Sequence, residues 1–164
     1  MATESYAYNG KARKPGVSVT IDSYVLKHNR DYTLSYSSNK NPGRGKVTIK
    51  GKGGFGGTAY AHFNILPKRS KITKLQSLSS ARLRVQWSKD TSVSRHEVEV
   101  CLSPDFEFGN DEVMRFAAGK SSTTITKTGF ERGNTYYVRV RGAKSAGGEM
   151  YYGAWSPAKQ VTVK

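Results

Sequence analysis

Glu97 and Glu99 stand two positions apart inside an alternating run, His96 to Val100. On an extended strand this spacing puts both carboxyls on one face, roughly 7 Å apart at a rise of ~3.3 Å per residue, a separation suited to paired acid/base chemistry on a glycoside. If Val98 and Val100 point into a core, however, both glutamates face outward. Three further patterns invite a chemical reading. Gly51-Lys52-Gly53-Gly54-Phe55-Gly56 has the form of a dinucleotide fingerprint, but that chemistry needs a helix N-terminus immediately afterwards, and Thr58 to Ile65 reads as another strand. A Gly-rich hairpin is expected instead. Asp105, Glu107, Asn110, Asp111 and Glu112 gather oxygen ligands around Gly109, without the spacing of a calcium-binding helix-loop-helix, so a solvated acidic loop is expected and no metal is assigned. His28, His62 and His96 are scattered and have no serine or cysteine partner in a recognisable motif. His96, at the start of its strand, is read as a packed, hydrogen-bonded ring. Cys101 falls on the outward side of its strand and reads as a partly exposed thiol. No catalytic residue, cofactor or metal is assigned.

The elements that must position these groups follow from composition and alternation. The 164 residues include 17 Gly, 10 Tyr, 6 Phe, 13 Val and 13 Thr against only 7 Leu, a balance that favours pleated surfaces over helices. Apolar residues recur at every second position in Val17, Val19, Ile21; Tyr32, Leu34, Tyr36; Val47, Ile49; Ala59, Ala61, Phe63, Ile65; Leu83, Val85, Trp87; Val98, Val100; Val138, Val140; and Val161, Val163. That is the period of half-buried strands, and turn residues divide the runs at intervals of roughly 8 to 12 residues, as in antiparallel sandwiches. An all-β chain is expected. No run is long and apolar enough for a membrane-spanning helix. The N-terminus shows no basic region followed by an apolar run, a silence without meaning if the chain is a piece of a larger exported protein. A single cysteine excludes an internal disulfide framework.

Leu66-Pro67-Lys68-Arg69-Ser70-Lys71 ends one alternating strand in a proline and a short basic segment before a new pattern begins. A domain boundary belongs there: residues 1–66 form one β domain, 67–71 a short linker and 72–164 a second domain. The whole chain carries 27 Lys and Arg against 12 Asp and Glu, a formal net charge of +15. Such a surface attracts polyanions, but no recognition helix or basic-aromatic strand surface marks a specific nucleic-acid reader. Exposed rings for a sugar platform are available in Tyr6, Tyr8, Tyr24 and Tyr60.

In the second half, Leu83-Arg84-Val85-Gln86-Trp87 places a lone tryptophan early. Gly133-Asn134-Thr135-Tyr136-Tyr137-Val138-Arg139-Val140 follows much later. Residues 71–164 thereby closely resemble a fibronectin type III domain, with Trp87 matching the core tryptophan, Phe130 the buried residue before the last turn and Tyr136 the corner tyrosine. Tyr152-Gly153-Ala154-Trp155-Ser156-Pro157 and Val161-Thr162-Val163 resemble the final strand of that family as found in bacterial surface proteins. The resemblance implies that Arg139 and Arg141 lie beside Glu97 and Glu99 as a charge ladder, with Trp155 as a cation–π cap. Tyr6 to Pro15, Asp31 to Asn39 and Val47 to Gly53 are similar to a bacterial immunoglobulin-like repeat of exported proteins of Gram-positive gut bacteria.

These resemblances imply two tandem β-sandwich modules without catalytic residues, at the cell wall surface of a Gram-positive bacterium or secreted from it. The modules act as a spacer and as an adhesive or protein-interaction segment. The alternative is an accessory carbohydrate-binding or cell-wall-binding segment of an extracellular glycan-degrading enzyme. Expected partners are a protein or polysaccharide at the cell surface, with anionic polymers attracted by charge, no specific nucleic acid and no membrane insertion; the chain is expected to be monomeric. Loops at one end of a sandwich are where binding concentrates, and the tip from Lys144 to Tyr152 is the longest. Lys144, Glu149, Tyr151 and Tyr152 are its candidate ligand-binding residues.

Overall fold

The computed structural model describes residues 4–106 and 113–164, and every element among them is a strand. The calcium-like cluster noted in the sequence lies outside these residues except for Asp105. The chain divides into two compact units, Met1–Leu66 and Pro67–Lys164.

The first unit contains β1 (Ser5–Ala7), β2 (Thr20–Ile21), β3 (Tyr24–Val25), β4 (Tyr32–Ser37), β5 (Gly43–Gly51) and β6 (Thr58–Leu66). One sheet runs in the order β1-β6-β5-β4, with β1 parallel to β6 and the other pairs antiparallel. Val47, Phe63 and Ile65 are its buried centre, flanked by Tyr6, Tyr8, Val17, Leu34, Tyr36 and Ile49. Gly45 pairs with Phe63 across β5 and β6, and a Cβ at Gly45 would run into the Phe63 ring. The missing side chain is what lets the ring lie flat across the neighbouring strand.

The alternation at Val17, Val19 and Ile21 predicts a regular strand, and only its end, Thr20–Ile21, is one. Residues 13–19 do alternate between half-buried and exposed, yet they pair with no strand. Pro15 removes a ladder donor, and side chains take over the work of a ladder. The Tyr36 hydroxyl donates to the Pro15 carbonyl at 2.8 Å and the Tyr32 hydroxyl to that of Val17 at 3.1 Å. The Asn39 amide donates to the Arg13 carbonyl at 2.7 Å, and the Arg13 N–H returns a bond to the Asn39 carbonyl. Ile21 is exposed rather than inward, because the chain leaves the sheet into the two-pair hairpin of β2 and β3.

The second unit is a two-layer sandwich of β7 (Ile72–Leu78), β8 (Arg82–Trp87), β9 (Arg95–Cys101), β10 (Met114–Gly119), β11 (Thr124–Lys127), β12 (Thr135–Ala146), β13 (Glu149–Tyr152) and β14 (Lys159–Thr162). One sheet is β11-β8-β7; the other is β10-β9-β12, with β13 and β14 both paired to the long β12. Leu83, Val85 and Trp87 from the first sheet meet Val98, Val100, Val138 and Val140 from the second, as the alternation in each strand requires. Tyr136 is buried edge-to-face against Phe130, ring centroids 5.1 Å apart, and its hydroxyl accepts the N–H of Glu131 at 3.1 Å, which ties down the preceding loop. Pro67 to Lys71 belong to this unit: the Lys71 carbonyl accepts the Ser88 N–H, and a Cβ on Gly153 would lie 2.8 Å from the Pro67 carbonyl oxygen.

Candidate interaction surface

The outward face of the larger sheet is a grid fixed by register. Arg115 on β10, Glu99 on β9 and Arg139 on β12 form one row; Ala117, Glu97 and Arg141 form the next; Gly119, Arg95 and Ala143 form the third. Glu99 therefore sits between two guanidiniums, with Arg115 Nε 2.9 Å from one oxygen and Arg139 Nη2 2.7 Å from the other. Glu97 is held in the same way by Arg95 and Arg141, each at 2.7 Å. Burial pushes the Glu97 carboxyl up, but the hydrogen bonds from Arg95 and Arg141 outweigh it and hold the group below the ordinary carboxylate range. The pairing of Arg95 with Glu97 in turn raises the guanidinium above its usual value. A carboxylate kept ionised by two permanent cations is a poor general acid.

Trp155 is delivered to this face by a short irregular run that follows β13 and returns along β12. The Gly153 N–H donates to the Gly142 carbonyl at 2.9 Å, the Ser156 N–H donates to the Val140 carbonyl at 2.8 Å, and the Ser156 hydroxyl accepts the Val140 N–H at 3.1 Å. Gripped on both flanks, the indole lies 4.4 Å from the Arg141 guanidinium carbon and 4.7 Å from that of Arg139. The column extends at both ends. Tyr152 lies 4.1 Å from Arg141, and Phe106 4.1 Å from Arg139. Cations and rings thus alternate in the order Phe106, Arg139, Trp155, Arg141, Tyr152. The ladder and its tryptophan cap are as the resemblance implies; Arg95, Arg115, Phe106 and Tyr152 are additions. Arg95 was legible as the next outward position of the strand, whereas Arg115 needs a register that alternation does not supply.

The small side chain of Ala117 on β10 leaves a groove of about 470 Å³ beside the ladder, lined among others by Arg95, Glu97, Arg115, Arg141 and Trp155. The four residues expected to bind ligand at the tip do not converge there. Their segment is a hairpin, β12 to β13, turned at Gly147 and Gly148, both at positive φ, rather than a long loop. Lys144 pairs opposite Tyr151, whose ring is buried and whose hydroxyl donates to the exposed Glu149 at 2.8 Å. Only Tyr152 reaches the ladder.

Other side chains also differ from expectation. His96 is fully buried with its ring 5.3 Å from Trp87, but neither ring nitrogen makes a hydrogen bond of good geometry, the Gly119 backbone being its nearest polar neighbour, and the Trp87 indole N–H is unpartnered. Burial pushes the His96 pKa down against the opposing pull of the Gly119 backbone and Asp90. Cys101 is fully buried instead of partly exposed, because Phe106, Val113 and Tyr137 close over the end of β9. The four candidate platform tyrosines of the first unit do not come together. Tyr6 and Tyr8 pack on the core, Tyr24 stacks on Phe55 at 6.4 Å, and Tyr60 carries the Lys46 ammonium 3.8 Å from its ring centre. The Gly-rich hairpin after β5 runs directly into β6 with no helix between. Among the described residues no group of His, Cys, Asp and Glu has the arrangement to hold a metal.

No protein-family model and no curated protein matches the chain. The solved structure of the FN1–FN3 domains of chicken CNTN1 is similar to it, with 16% identity over 77% of this chain and a TM-score of 0.52; the chain spans 45% of the length of that structure. The FN5 domain of Drosophila Lar matches at 19% identity over 60% of this chain and 97% of that domain, with a TM-score of 0.46. The fold is an all-β, immunoglobulin-like sandwich of fibronectin type III type.

Proposed function

We propose that the chain is a non-catalytic pair of extracellular modules, a spacer and protein-interaction segment of a secreted or surface protein of a Gram-positive bacterium. The observation that carries this reading is the state of the ladder: the two carboxylates that could have formed an acid/base pair are each clamped between two guanidiniums, in a sheet face built for rigidity and contact. The neighbouring fold is one that serves as a repeated module, and the first unit's likeness to bacterial surface repeats points to the same setting. A pull-down against immobilised cell-wall polymers, insoluble polysaccharides and surface-protein extracts, run at low and at moderate salt, tests it. Retention by a protein partner that survives moderate salt is the expected outcome, while binding to anionic polymers disappears as charge is screened. Salt-resistant retention on a neutral polysaccharide would instead make the chain a carbohydrate-binding accessory.

A further inference from the structure

The groove on the second unit has three properties that together select an occupant. The first is charge. Arg95, Arg115, Arg139 and Arg141 face two carboxylates, an excess of two positive charges on one sheet face. Their bonds to Glu97 and Glu99 use only a fraction of the donors a guanidinium carries, and Arg115 commits only its Nε. Arg95 and Arg115 are also the most exposed of the four, at 43% and 54%.

The second is shape. Arg115 lies opposite Glu99, four positions along β9 from Arg95, so the two cations stand roughly 13 Å apart at ~3.3 Å per residue. The outward position of β10 between them is the exposed Ala117, and the exposed Gly119 stands level with Arg95, which leaves a shelf between two charged posts. The third is an open edge. β10 ends its sheet and pairs with β9 alone among the described strands, in unbroken register over all its residues. It carries no proline, no bulge and a single charge, so the usual defences of an edge strand against pairing are thin.

We propose that this groove docks an extended acidic segment of a partner protein. The segment is added as a strand along β10, with two carboxylates four positions apart meeting Arg115 and Arg95. Main-chain pairing supplies affinity and the two charges supply register. An acidic glycan is the weaker fit. The rings beside the groove are already engaged by cations: Trp155 by Arg139 and Arg141, Tyr152 by Arg141, and Phe116 by Lys127 at 5.0 Å. A ring already carrying a cation is a poorer platform for a sugar, whereas the β10 edge offers a row of backbone groups.

The assignment rests on the reading of the chain as an interaction module, yet it fails separately from it, since a chain that only spaces or binds elsewhere would still be such a module. The test is amide-resolved NMR of the whole chain titrated with a synthetic peptide of about ten residues, alternating Thr and Val with two glutamates four positions apart. Expected are shifts confined to β9 and β10, slowed exchange of edge amides on β10, an affinity about tenfold weaker in Arg115→Gln, and no binding in Ala117→Glu. If Ala117→Glu does not fold, Arg95→Gln takes its place with the same tenfold expectation. The proposal is overturned if the peptide leaves β10 unmoved, if its glutamine counterpart binds as well, or if heparin shifts these residues while the peptide does not; the last result would make the groove a glycan site.

Discussion

Trp155 touches two guanidiniums that are themselves committed to carboxylates, so removing it loosens more than one contact. Each cation–π contact at a half-exposed position contributes about 0.5 to 1 kcal/mol, and Trp155→Ala is expected to cost the second unit about 1 to 2 kcal/mol. A scanning-calorimetry midpoint lowered by several degrees is the expected reading, and an unchanged one would show the stacking to be idle. His96 contributes acid sensitivity in the same unit. Its folded pKa lies below the ordinary imidazole value of about 6.5, so the unfolded chain takes up the proton more readily. Stability from this group is therefore complete above about pH 6.5 and declines as the pH falls from there toward the lowered folded value. His96→Phe keeps a ring against Trp87 and removes the titration, so a thermal-unfolding series from pH 7 to about 5 should flatten. Glu97 acts at lower pH. Its folded pKa is depressed, so its contribution is present above the ordinary carboxylate value and is lost only as the pH falls through the lowered one.

Elements reveal how position, rather than composition, decides outcomes. Gly45→Ala adds a single methyl group, yet it would force the Phe63 ring off β5, and the first unit is expected to lose about 1 to 3 kcal/mol while the second is untouched. Tyrosine and valine chemical shifts, followed through urea unfolding, separate the two responses. Much of this was legible in the chain: Val98 and Val100 alternate inward, Trp87 sits in the core, and Glu97 with Glu99 faces the arginines of β12 as the family resemblance implies. Alternation reports which face is buried, but not what lies alongside. The segment around Val17 has a strand's period and no strand partner, because Tyr32, Tyr36 and Asn39 satisfy its backbone through side chains 15 to 26 residues away in sequence. Cys101 has an outward position and a buried thiol, because burial there depends on Phe106 and Val113 coming back over the strand end. The groove was invisible for the same reason: it opens over Ala117, whose meaning depends on register with β9.

Among the described residues the main cores of the two units are of unequal size. The first unit's fully enclosed centre is Val47, Phe63 and Ile65, while the second buries twelve residues in one cluster. A small core leaves little margin over chain entropy, so the first unit should unfold at the lower temperature. Calorimetry of the full chain is expected to show two transitions, and a fragment of residues 67–164 should keep the upper one; a single transition shared by both units would contradict the inequality. Within the second unit, Cys101 is the chain's one sulfhydryl, and none of it is exposed. Reaction with a soluble disulfide reagent can then proceed only when β9 parts from what covers its end, so the labelling rate of the unmodified chain becomes a clock for spontaneous opening, ready without any engineered probe.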